Sequence, residues 1–522
     1  MINLRIYQND CVDGIRSCIK RLIRNILLVL PTGGGKTVVF TYLAQRMSLK
    51  KKRVIILVHR VELLRQTSKA LAKFDVDHGM INPNYTPNFS HDVQVASVQT
   101  IIRRLNYFAA MGWVPDVIIP DEAHHSNSKS WNTVIEFFRE MNPDLTVIGV
   151  TATPLRGDGQ GLGAGHGGMF DEIVMGPQVS YLIQEGFLVH PKIYGPPEKL
   201  DLSEVGTSMG DYKKDELSRL VDKPKITGDA VSHYRELCDG VPAIVFCVNV
   251  AHAEHVAQQF RNAGYRFYAI DGKTDDDVRL RLIEGLTDGS VQGLTSCDVI
   301  SEGTDIPRAT CAIELRPTQS KGLNFQQKGR VLRPVYADGY DLETKDGRLA
   351  AIAASEKPHA IILDHVGNTE RHGLPYEDQD WTLEGTVKKR GSKKQEQAVR
   401  IQQCLSCFAC HEPAPVCPEC GHVYEIKDAT PKQVDGKLRE ITAETLKKKE
   451  ARKEVGKSDS LEALLKIAAE RGYKENWAHI QFSIKEKKKQ ERLEKLQEKI
   501  DMKKAQEIDF ETVEEFHENL DF

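Results

Sequence analysis

The sequence predicts an α/β protein with two parallel-sheet domains, followed by a small cysteine-rich segment and a charged helical tail. Three observations support this fold class. Short apolar runs recur at helical spacing, a glycine-rich loop follows the first of them, and five cysteines crowd into one short segment. The chain has 522 residues, and domains usually hold roughly 100–200 residues. A single core therefore cannot accommodate it.

The apolar runs are continuous rather than alternating, and segments long enough to form helices separate them. They are ILLVL (26–30), RVIILVH (53–59), DVIIPDE (116–122), LTVIGVTA (145–152), AIVFCV (243–248) and AIILDH (360–365). Continuous apolar runs are typical of strands buried on both faces, as in a parallel sheet covered by helices. Their alternation with helices predicts a doubly wound α/β arrangement.

Changes in composition suggest the domain boundaries. We expect a first domain at 1–190, a polar linker or insertion at 191–226 and a second domain at 227–368. A basic connector (369–403), a cysteine-rich ribbon (404–425) and a charged helical tail with an acidic end (426–522) then follow. The linker is expected because residues 196–226 are polar and contain no buried-strand run.

The overall charge of the chain does not by itself indicate that the protein binds nucleic acid. With 71 basic and 74 acidic residues the net charge is −3, so any surface for nucleic acid must be local. No apolar run reaches the roughly 18 residues that span a bilayer. The start of the chain lacks an apolar leader, so we expect a cytoplasmic, reducing location in a bacterial or phage-infected cell. The eleven cysteines are then not a disulfide framework.

The stretch LPTGGGKT (30–37) lies between a predicted buried strand and a predicted helix. In this context a loop can wrap its backbone amides around phosphate, aided by the helix N-terminus. Lys36 would reach the β- and γ-phosphates of ATP, and the Thr37 hydroxyl would bind Mg²⁺. The predicted nucleotide ligands here are Thr32, Gly33, Gly34, Gly35, Lys36 and Thr37. The strict pattern expects glycine where Leu30 stands, so this is a looser variant.

Two carboxylates follow the buried run at 117–120. We expect them at the carboxyl end of the sheet, on a strand adjacent to that of the phosphate loop. Asp121 would hold Mg²⁺ through water, and Glu122 would polarise the attacking water. The alternative is a helix cap with a solvated glutamate; the upstream loop favours the catalytic interpretation.

The cysteine-rich segment has two C-x₂-C pairs separated by nine residues. This spacing predicts a tetrahedral Zn²⁺ site formed by Cys404, Cys407, Cys417 and Cys420. Cys410 is a spare thiol, and His411 or His422 could replace one thiolate. With four protein ligands the zinc would be structural rather than catalytic, and a contact with nucleic acid or a partner stays open.

Residues 1–366 resemble the superfamily 2 helicases and translocases of the DEAH-box type, motif by motif and in order. The motifs are LRIYQ (4–8), PTGGGKT (31–37), DEAH (121–124), TAT (151–153), SEGTDIP (301–307) and QQKGRVLRP (326–334). The phrase IELRPTQS…NFQQKGRVLRP is similar to RadD-like and phage repair or recombination helicases, which are related to type III restriction translocating subunits. The resemblance implies two RecA-like domains with ATP in the cleft between them.

The resemblance also implies roles for residues outside the phosphate loop. Gln8 would read the adenine base, His124 would join the nucleotide site, and Gly303 and Asp305 would link that site to the bound strand. Gln326 would contact the γ-phosphate or the attacking water. Arg330 and Arg333 would neutralise charge on the γ-phosphate, as arginine fingers do. The alternative for the two arginines is a solvated basic helix face.

The expected function is that of an ATP-dependent DNA helicase or translocase in repair, recombination or replication, using ATP, Mg²⁺ and Zn²⁺. The alternatives are an RNA helicase and the motor subunit of a restriction or defence complex.

Residues 507–522 hold seven acidic residues and no lysine or arginine. This end resembles the acidic tip of bacterial single-strand binding proteins, so it would dock on a single-strand binding or repair protein; a solvated tail is the alternative. We expect a monomer without membrane contact.

Overall fold

The computed structural model describes most of the chain and divides it into two units, residues 1–426 and 427–522. The described residues are 2–83, 87–156, 160–196, 202, 205–208, 211–221, 224–297, 300, 306–385, 401–404, 406–424, 460–470, 474 and 476–483. The predicted acidic end at 507–522 lies outside them, so its docking role stays a prediction. The first unit contains both predicted sheets.

The first sheet holds seven strands within the described residues, in the order β3-β4-β2-β5-β6-β1-β7, and every pairing is parallel. The strands are β1 Asn25–Val29, β2 Val54–Val58, β3 Gly79–Ile81, β4 Val93–Ser97, β5 Val117–Pro120, β6 Thr146–Thr151 and β7 Glu172–Met175. The helices around it are α1 Ile6–Lys20, α2 Lys36–Ser48, α3 Val61–Lys73, α4 Val98–Ile101, α5 Leu105–Ala110, α6 Lys129–Met141 and α7 Val179–Gln184.

Burial on both faces explains why the apolar runs became strands. In β1, Ile26 and Leu28 lie in one core with Phe40 of α2, whereas Leu27 lies in the other core with Phe138 of α6. Successive side chains of a strand point to opposite faces, so a strand between two helix layers needs apolar residues at consecutive positions. The predicted parallel, doubly wound sheet is confirmed.

The second sheet has the order β12-β13-β11-β14-β15-β8-β17-β16. Its strands are β8 Pro191–Tyr194, β11 Ala243–Phe246, β12 Phe267–Ile270, β13 Gly293–Ser296, β14 Cys311–Glu314, β15 Ala360–Asp364, β16 Gln402–Gln403 and β17 Ala409–His411; β9 Thr207–Ser208 and β10 Asp211–Tyr212 form a separate hairpin. The helices of this half are α8 Lys214–Val221, α9 Pro224–Cys238, α10 Val250–Asn262, α11 Asp276–Asp288, α12 Lys321–Gly329, α13 Lys345–Ala353 and α14 Asn368–His372.

Strand β8 corrects the expected linker. It lies inside segment 191–226 but pairs in parallel with β15, so the second sheet begins earlier in the chain than composition suggested. The run is short and includes Pro191 and Lys192, which is why it carries no buried-strand signal. Pairing with a strand far along the chain, rather than local apolarity, makes this segment a strand.

The cysteine-rich segment extends the same sheet. Strand β17 pairs antiparallel with β8, joining Cys410 to Ile193, and β16 pairs with β17. An ion pair of 2.7 Å between Lys192 Nζ and Glu419 also joins the two segments. Since an unpaired strand edge exposes backbone donors and acceptors, the ribbon covers the edge that β8 would otherwise present.

Residues 374–385 return from the second domain to the first. Gln379 and Gln178 exchange two hydrogen bonds of 3.0 and 3.1 Å between side-chain amide and backbone. Leu383 O accepts a hydrogen bond of 3.0 Å from Gly163 N, and Trp381 packs against the first domain's core. The start of the predicted basic connector is therefore a strap between the domains, whereas 386–400 lies outside the described residues.

The second unit has a small helical core of its own. Helix α15, Leu461–Glu470, and a helical segment at 476–483 bury Leu464, Ala468 and Ala478 against each other. This confirms that part of the predicted charged tail is helical. Within the part of the chain that the structure describes, no helix has the length and apolar character needed to cross a membrane.

A lysine and a glutamate lie side by side, fully buried, beneath α12. Lys328 Nζ is 3.6 Å from Glu314 Oε2, and neither side chain is exposed to solvent. Burial raises the pKa of Glu314 to about 8, although Lys328 opposes the shift. Burial alone would also raise the pKa of nearby Asp364, but Lys328 and the backbone amides of Thr369 and Asn368 bring it below its usual value.

This difference predicts how stability depends on pH. The unfolded chain releases the Glu314 proton near its ordinary pKa of 4.5, whereas the folded protein keeps it until about pH 8. Between these values the folded state binds more protons, so the free energy of unfolding falls as pH rises. Glu314→Gln removes this contribution, and the variant should gain stability relative to wild type between pH 5 and pH 8. Unfolding curves of both proteins across this range test it; a constant difference would contradict it.

Candidate nucleotide site between the two sheets

The loop after β1 has the backbone geometry of a phosphate cradle. Gly33 and Gly35 adopt φ angles of 84° and 86°, in the left-handed region that favours glycine. A Cβ at Gly33 would come within 2.7 Å of Leu188, and one at Gly35 would collide with the Gln8 side chain. The loop leads directly into α2, which starts at Lys36. Backbone amides and a helix N-terminus thus meet where the sequence predicts phosphate.

The N-terminal helix is fastened to this loop. The Tyr7 hydroxyl donates a hydrogen bond of 3.1 Å to Gly34 O, and Gln8 Nε2 lies 3.5 Å from the same oxygen. Gln8 also accepts a hydrogen bond from Arg5 N at 3.0 Å. Gln8 was expected beside the nucleotide and lies against the phosphate loop, while its role toward the base stays a prediction. The Tyr7 contact was missed, although Tyr7 directly precedes Gln8.

The two carboxylates lie at the end of β5, close to the loop. Lys36 Nζ is 3.7 Å from Glu122 Oε1, and both side chains are largely buried. Glu122 has a left-handed backbone with φ 52°, and its amide donates to Asp121 Oδ1 at 3.0 Å. A non-glycine residue in this conformation costs of order 1–3 kcal/mol and occurs preferentially at functional sites. The alternative of a solvated Glu122 does not hold.

Strand β6 lies between the strands that carry these elements, so β5 and β1 are not adjacent as expected. The end of β6 supplies Thr151, whose hydroxyl is 3.1 Å from His124 Nδ1. The same His124 nitrogen is 3.5 Å from Glu122 Oε2. Thr151 also hydrogen-bonds the backbone of Thr153. Strand β6 therefore connects the DEAH and TAT motifs through the hydroxyl group of Thr151.

Helix α12 of the second domain approaches the same place. Gln326 Nε2 donates a hydrogen bond of 3.4 Å to Glu122 Oε2. A Cβ at Gly329 would come within 2.6 Å of Thr32 Cβ, and one at Gly322 within 3.1 Å of Thr153 Oγ1. The two glycines allow the helix to lie close to the loop. Residues 122 and 326, far apart in sequence, thus meet across the cleft.

The two arginines follow this helix. Arg330 is 7% exposed, and Gln326 and Lys328 are buried too, so a solvated helix face is excluded for Arg330. Arg333 Cγ lies 3.6 Å from where a Cβ on Gly33 would stand, and burial lowers the pKa of its guanidinium to about 10.

Thr37 is exposed in the first turn of α2. Gly303 and Asp305 lie outside the described residues.

A second site lies in the ribbon. The sulfur atoms of Cys404, Cys407, Cys417 and Cys420 all lie within 4.8 Å of one another, and no other metal-binding group of this kind occurs among the described residues. Two of the sulfur–sulfur distances, Cys404 to Cys420 and Cys407 to Cys417, are 3.7 Å. Four thiolates about 2.3 Å from a tetrahedral Zn²⁺ would stand about 3.8 Å apart. The cluster therefore fits zinc.

The alternative ribbon ligands lie outside this group. Cys410 sits on β17 and is not part of the cluster. His411 uses both ring nitrogens elsewhere, at 2.6 Å from Glu412 O and 2.7 Å from the Tyr424 hydroxyl. His422 is not in the group either. The geometry thus favours the four cysteines over a set that includes a histidine.

Comparisons with known proteins cover both sheets. Residues 1–156 match the family described as type III restriction enzyme, res subunit, and residues 229–335 match the helicase conserved C-terminal domain. A 51.5 kDa protein of a Lactococcus phage (isolate 7-9) is 30% identical over 423 residues, covering 80% of this chain and 83% of that protein. The putative ATP-dependent helicase IRC3 of Saccharomyces cerevisiae is 31% identical over 345 residues, covering 63% of this chain and 49% of that protein. The chain thus spans about half of the yeast relative.

A solved structure shares the fold. It is a fragment of a putative HsdR subunit of a type I restriction enzyme from Vibrio vulnificus YJ016, with a TM-score of 0.52, 18% identity and coverage of 71% of this chain and 66% of that one. This likeness supports two RecA-like domains and no more than the fold. The family matches in both halves and the phage relative confirm the expected superfamily. The chain belongs to the superfamily 2 helicases, nucleic-acid-dependent ATPases with two RecA-like parallel-sheet domains.

Proposed function

We propose that this chain is an ATP-driven DNA helicase or translocase of the DEAH-box type, allied to RadD-like and phage helicases, that acts in repair, recombination or replication. The observation that carries the proposal is the meeting of Lys36, Glu122 and Gln326, contributed by both domains, beside a loop shaped for phosphate. DNA is favoured over RNA because the first domain matches a restriction enzyme family, and restriction is a reaction on DNA.

In the proposed mechanism Lys36 changes partner. Its ammonium group faces Glu122 at 3.7 Å in this structure, and on ATP binding it would move to the β- and γ-phosphates. The Glu122 carboxylate, released from Lys36, would orient a water molecule and accept its proton. Thr37 and Asp121 would hold Mg²⁺, which supplies further neutralisation of phosphate charge. Gln8 would contact the base of the nucleotide.

The second domain would complete the site. Arg330 and Arg333 would neutralise charge that develops on the γ-phosphate, and Gln326 would hold the attacking water together with Glu122. These groups lie in or just after α12, so the second domain has to be close to the first for hydrolysis. ATP would favour closure and hydrolysis would permit opening. Gly303 and Asp305 would pass this change to the bound strand.

A second candidate function is the motor subunit of a restriction complex. The match of residues 1–156 to a type III restriction enzyme subunit favours it. In that case the chain would need further subunits for recognition and cleavage of DNA. The same ATPase site would serve both functions, so the response to naked nucleic acid separates them.

Steady-state ATP hydrolysis should increase severalfold or more when single-stranded or forked DNA is added, and much less with RNA. The reason is that the strand bridges both domains and thereby favours the closed site. Rates with single-stranded, forked and duplex DNA and with RNA measure this, with Lys36→Ala as the inactive control. Stimulation by RNA alone would contradict the proposed substrate, and no stimulation by any polymer would favour the restriction-motor alternative.

Arg330→Ala should lower kcat for ATP by about 10³-fold or more, as loss of an arginine finger does. DNA affinity should change little, because Arg330 is buried and directly follows Gly329, which lies against the phosphate loop. Arg46→Ala, on the exposed last turn of α2, is the matched control and should keep its turnover. Equal loss of turnover and DNA binding in Arg330→Ala would mean that this arginine faces DNA.

We also propose that the four thiols of Cys404, Cys407, Cys417 and Cys420 hold a structural Zn²⁺. All four positions of a tetrahedral ion would be filled by protein, which leaves none for a reacting group. The ion would hold β16 and β17 in the shape that pairs with β8. Its contribution is thus to the edge of the second sheet rather than to hydrolysis.

Cys417→Ser should release the zinc, whereas Cys410→Ser, a change just outside the cluster, should retain it. Metal analysis of the purified proteins measures this directly. Loss of the ion should also speed amide hydrogen exchange in Pro191–Tyr194, because the strand next to β8 loses its support. Full zinc content in Cys417→Ser, or loss of zinc in Cys410→Ser, would contradict the assigned ligands.

A further inference from the structure

Helix α12 has two opposite faces with different partners. Gly322, Gln326 and Gly329 recur at intervals of four and three residues, so they share the face that lies against the first domain. Asn324 and Lys328 are four residues apart and share the face turned about half a circle away. Both are fully buried in the second domain. The first face bears the proposed ATPase contacts, and the proposed function assigns nothing to the second.

The second face is held by directed polar contacts. Lys328 Nζ donates a hydrogen bond of 2.8 Å to Thr369 Oγ1 and lies 3.6 Å from Glu314 Oε2. Asn324 Nδ2 donates to Glu314 Oε1 at 2.7 Å. Glu314 ends β14, and Thr369 lies in α14. The helix is therefore fastened to two different elements of its own domain.

The start of α14 is itself fixed by a buried carboxylate. Asp364, the last residue of β15, accepts hydrogen bonds from the backbone amides of Val366 and Asn368 at 3.1 Å each and from Thr369 at 2.6 Å. The Thr369 hydroxyl, which accepts the hydrogen bond from Lys328, is thus held in place by the end of the central strand β15. A shift of Lys328 would have to disturb these bonds as well.

The energetic cost of this arrangement suggests a function for it. Apolar side chains of similar volume often fill such a space at equal or lower free energy, because a buried charge such as that of Lys328 loses its hydration. Directed bonds offer what apolar packing lacks, namely a single rotation and register for the helix. That rotation matters at the opposite face, where the bond from Gln326 to Glu122 is already long at 3.4 Å.

We propose that Lys328 is a positioning residue for ATP hydrolysis: through Thr369 and Glu314 it fixes the rotation of α12, so that Gln326 and Arg330 face Lys36 and Glu122. The inference rests on the proposed ATPase function. Lys328 does not contact the nucleotide site itself, since its side chain lies on the far side of the helix. It acts on turnover only through the residues that α12 carries.

Lys328→Met, which keeps an unbranched side chain of nearly the same length and removes its charge, tests the proposal in the full-length chain. We expect kcat to fall about tenfold or more, with KM for ATP within about threefold of wild type, because the Lys36 loop is untouched. Phe260→Leu is the matched control: it removes buried volume from α10, where Phe260 stacks on Phe267 at 3.9 Å, far from α12 in the chain. It should lower the unfolding temperature but keep kcat within about twofold.

A second variant covers the case in which Lys328→Met does not fold. Thr369→Val keeps the shape of the side chain and removes the hydroxyl that accepts the Lys328 hydrogen bond and also bonds the Asp364 carboxylate, so kcat should fall about threefold. Amide hydrogen exchange across Lys321–Gly329, without nucleotide, reports the anchoring of the helix independently of turnover. It should be faster in Lys328→Met and Thr369→Val than in wild type.

The outcomes separate the two proposals. A wild-type protein without ATPase activity contradicts the proposed function, and the exchange measurement then decides whether Lys328 anchors α12. If the wild type is active and kcat is unchanged in Thr369→Val or in a folded Lys328→Met, the positioning role is wrong and the proposed function stands. A kcat loss that Phe260→Leu reproduces at equal loss of stability also overturns it.

Discussion

The close approach of α12 to the phosphate loop is the constraint on which the rest of the site depends. Gly329 lies against Thr32 so closely that a Cβ would be only 2.6 Å from its neighbour. This contact sets the separation of the two domains at the cleft. It also decides that Gln326 reaches Glu122 and that Arg333 lies over Gly33. A larger residue at 329 would push the second domain away and divide the site into two incomplete halves.

Electrostatics within the first domain support the same arrangement. Lys36 and Glu122 neutralise each other in a largely buried position, so neither charge stands alone before a nucleotide arrives. The left-handed backbone of Glu122 turns its carboxylate toward the cleft at a cost that the surrounding strands have to bear. In the proposed mechanism both charged groups would find other partners, Lys36 in the phosphates and Glu122 in the attacking water.

The parallel sheets and the phosphate loop could be predicted from the sequence because both are marked by residues that are consecutive in the chain. A strand covered on both faces needs consecutive apolar residues, as at Ile26–Val29, and a phosphate loop needs its glycines in a row. Strand β8, the strap at 374–385 and the burial of Lys328 have no such signal. Each depends on partners far away in the chain: β15, Gln178 and Glu314 respectively. Polar residues that are buried only by tertiary contacts look like ordinary surface residues in sequence.

The contacts of α12 are unequal in strength, and this inequality suits a motor. On its own domain the helix is held by buried hydrogen bonds, one from the Lys328 ammonium group and one from the Asn324 amide. Toward the first domain, Gln326 reaches Glu122 through a long bond of 3.4 Å, and the strap adds amide bonds such as those of Gln379. Hydrogen bonds of the latter kind contribute only about 1 kcal/mol each, so breaking them costs little compared with the free energy of ATP binding. In the proposed cycle the helix would therefore leave the loop and return as one piece with its domain, and Gln326 and Arg330 would keep their spacing.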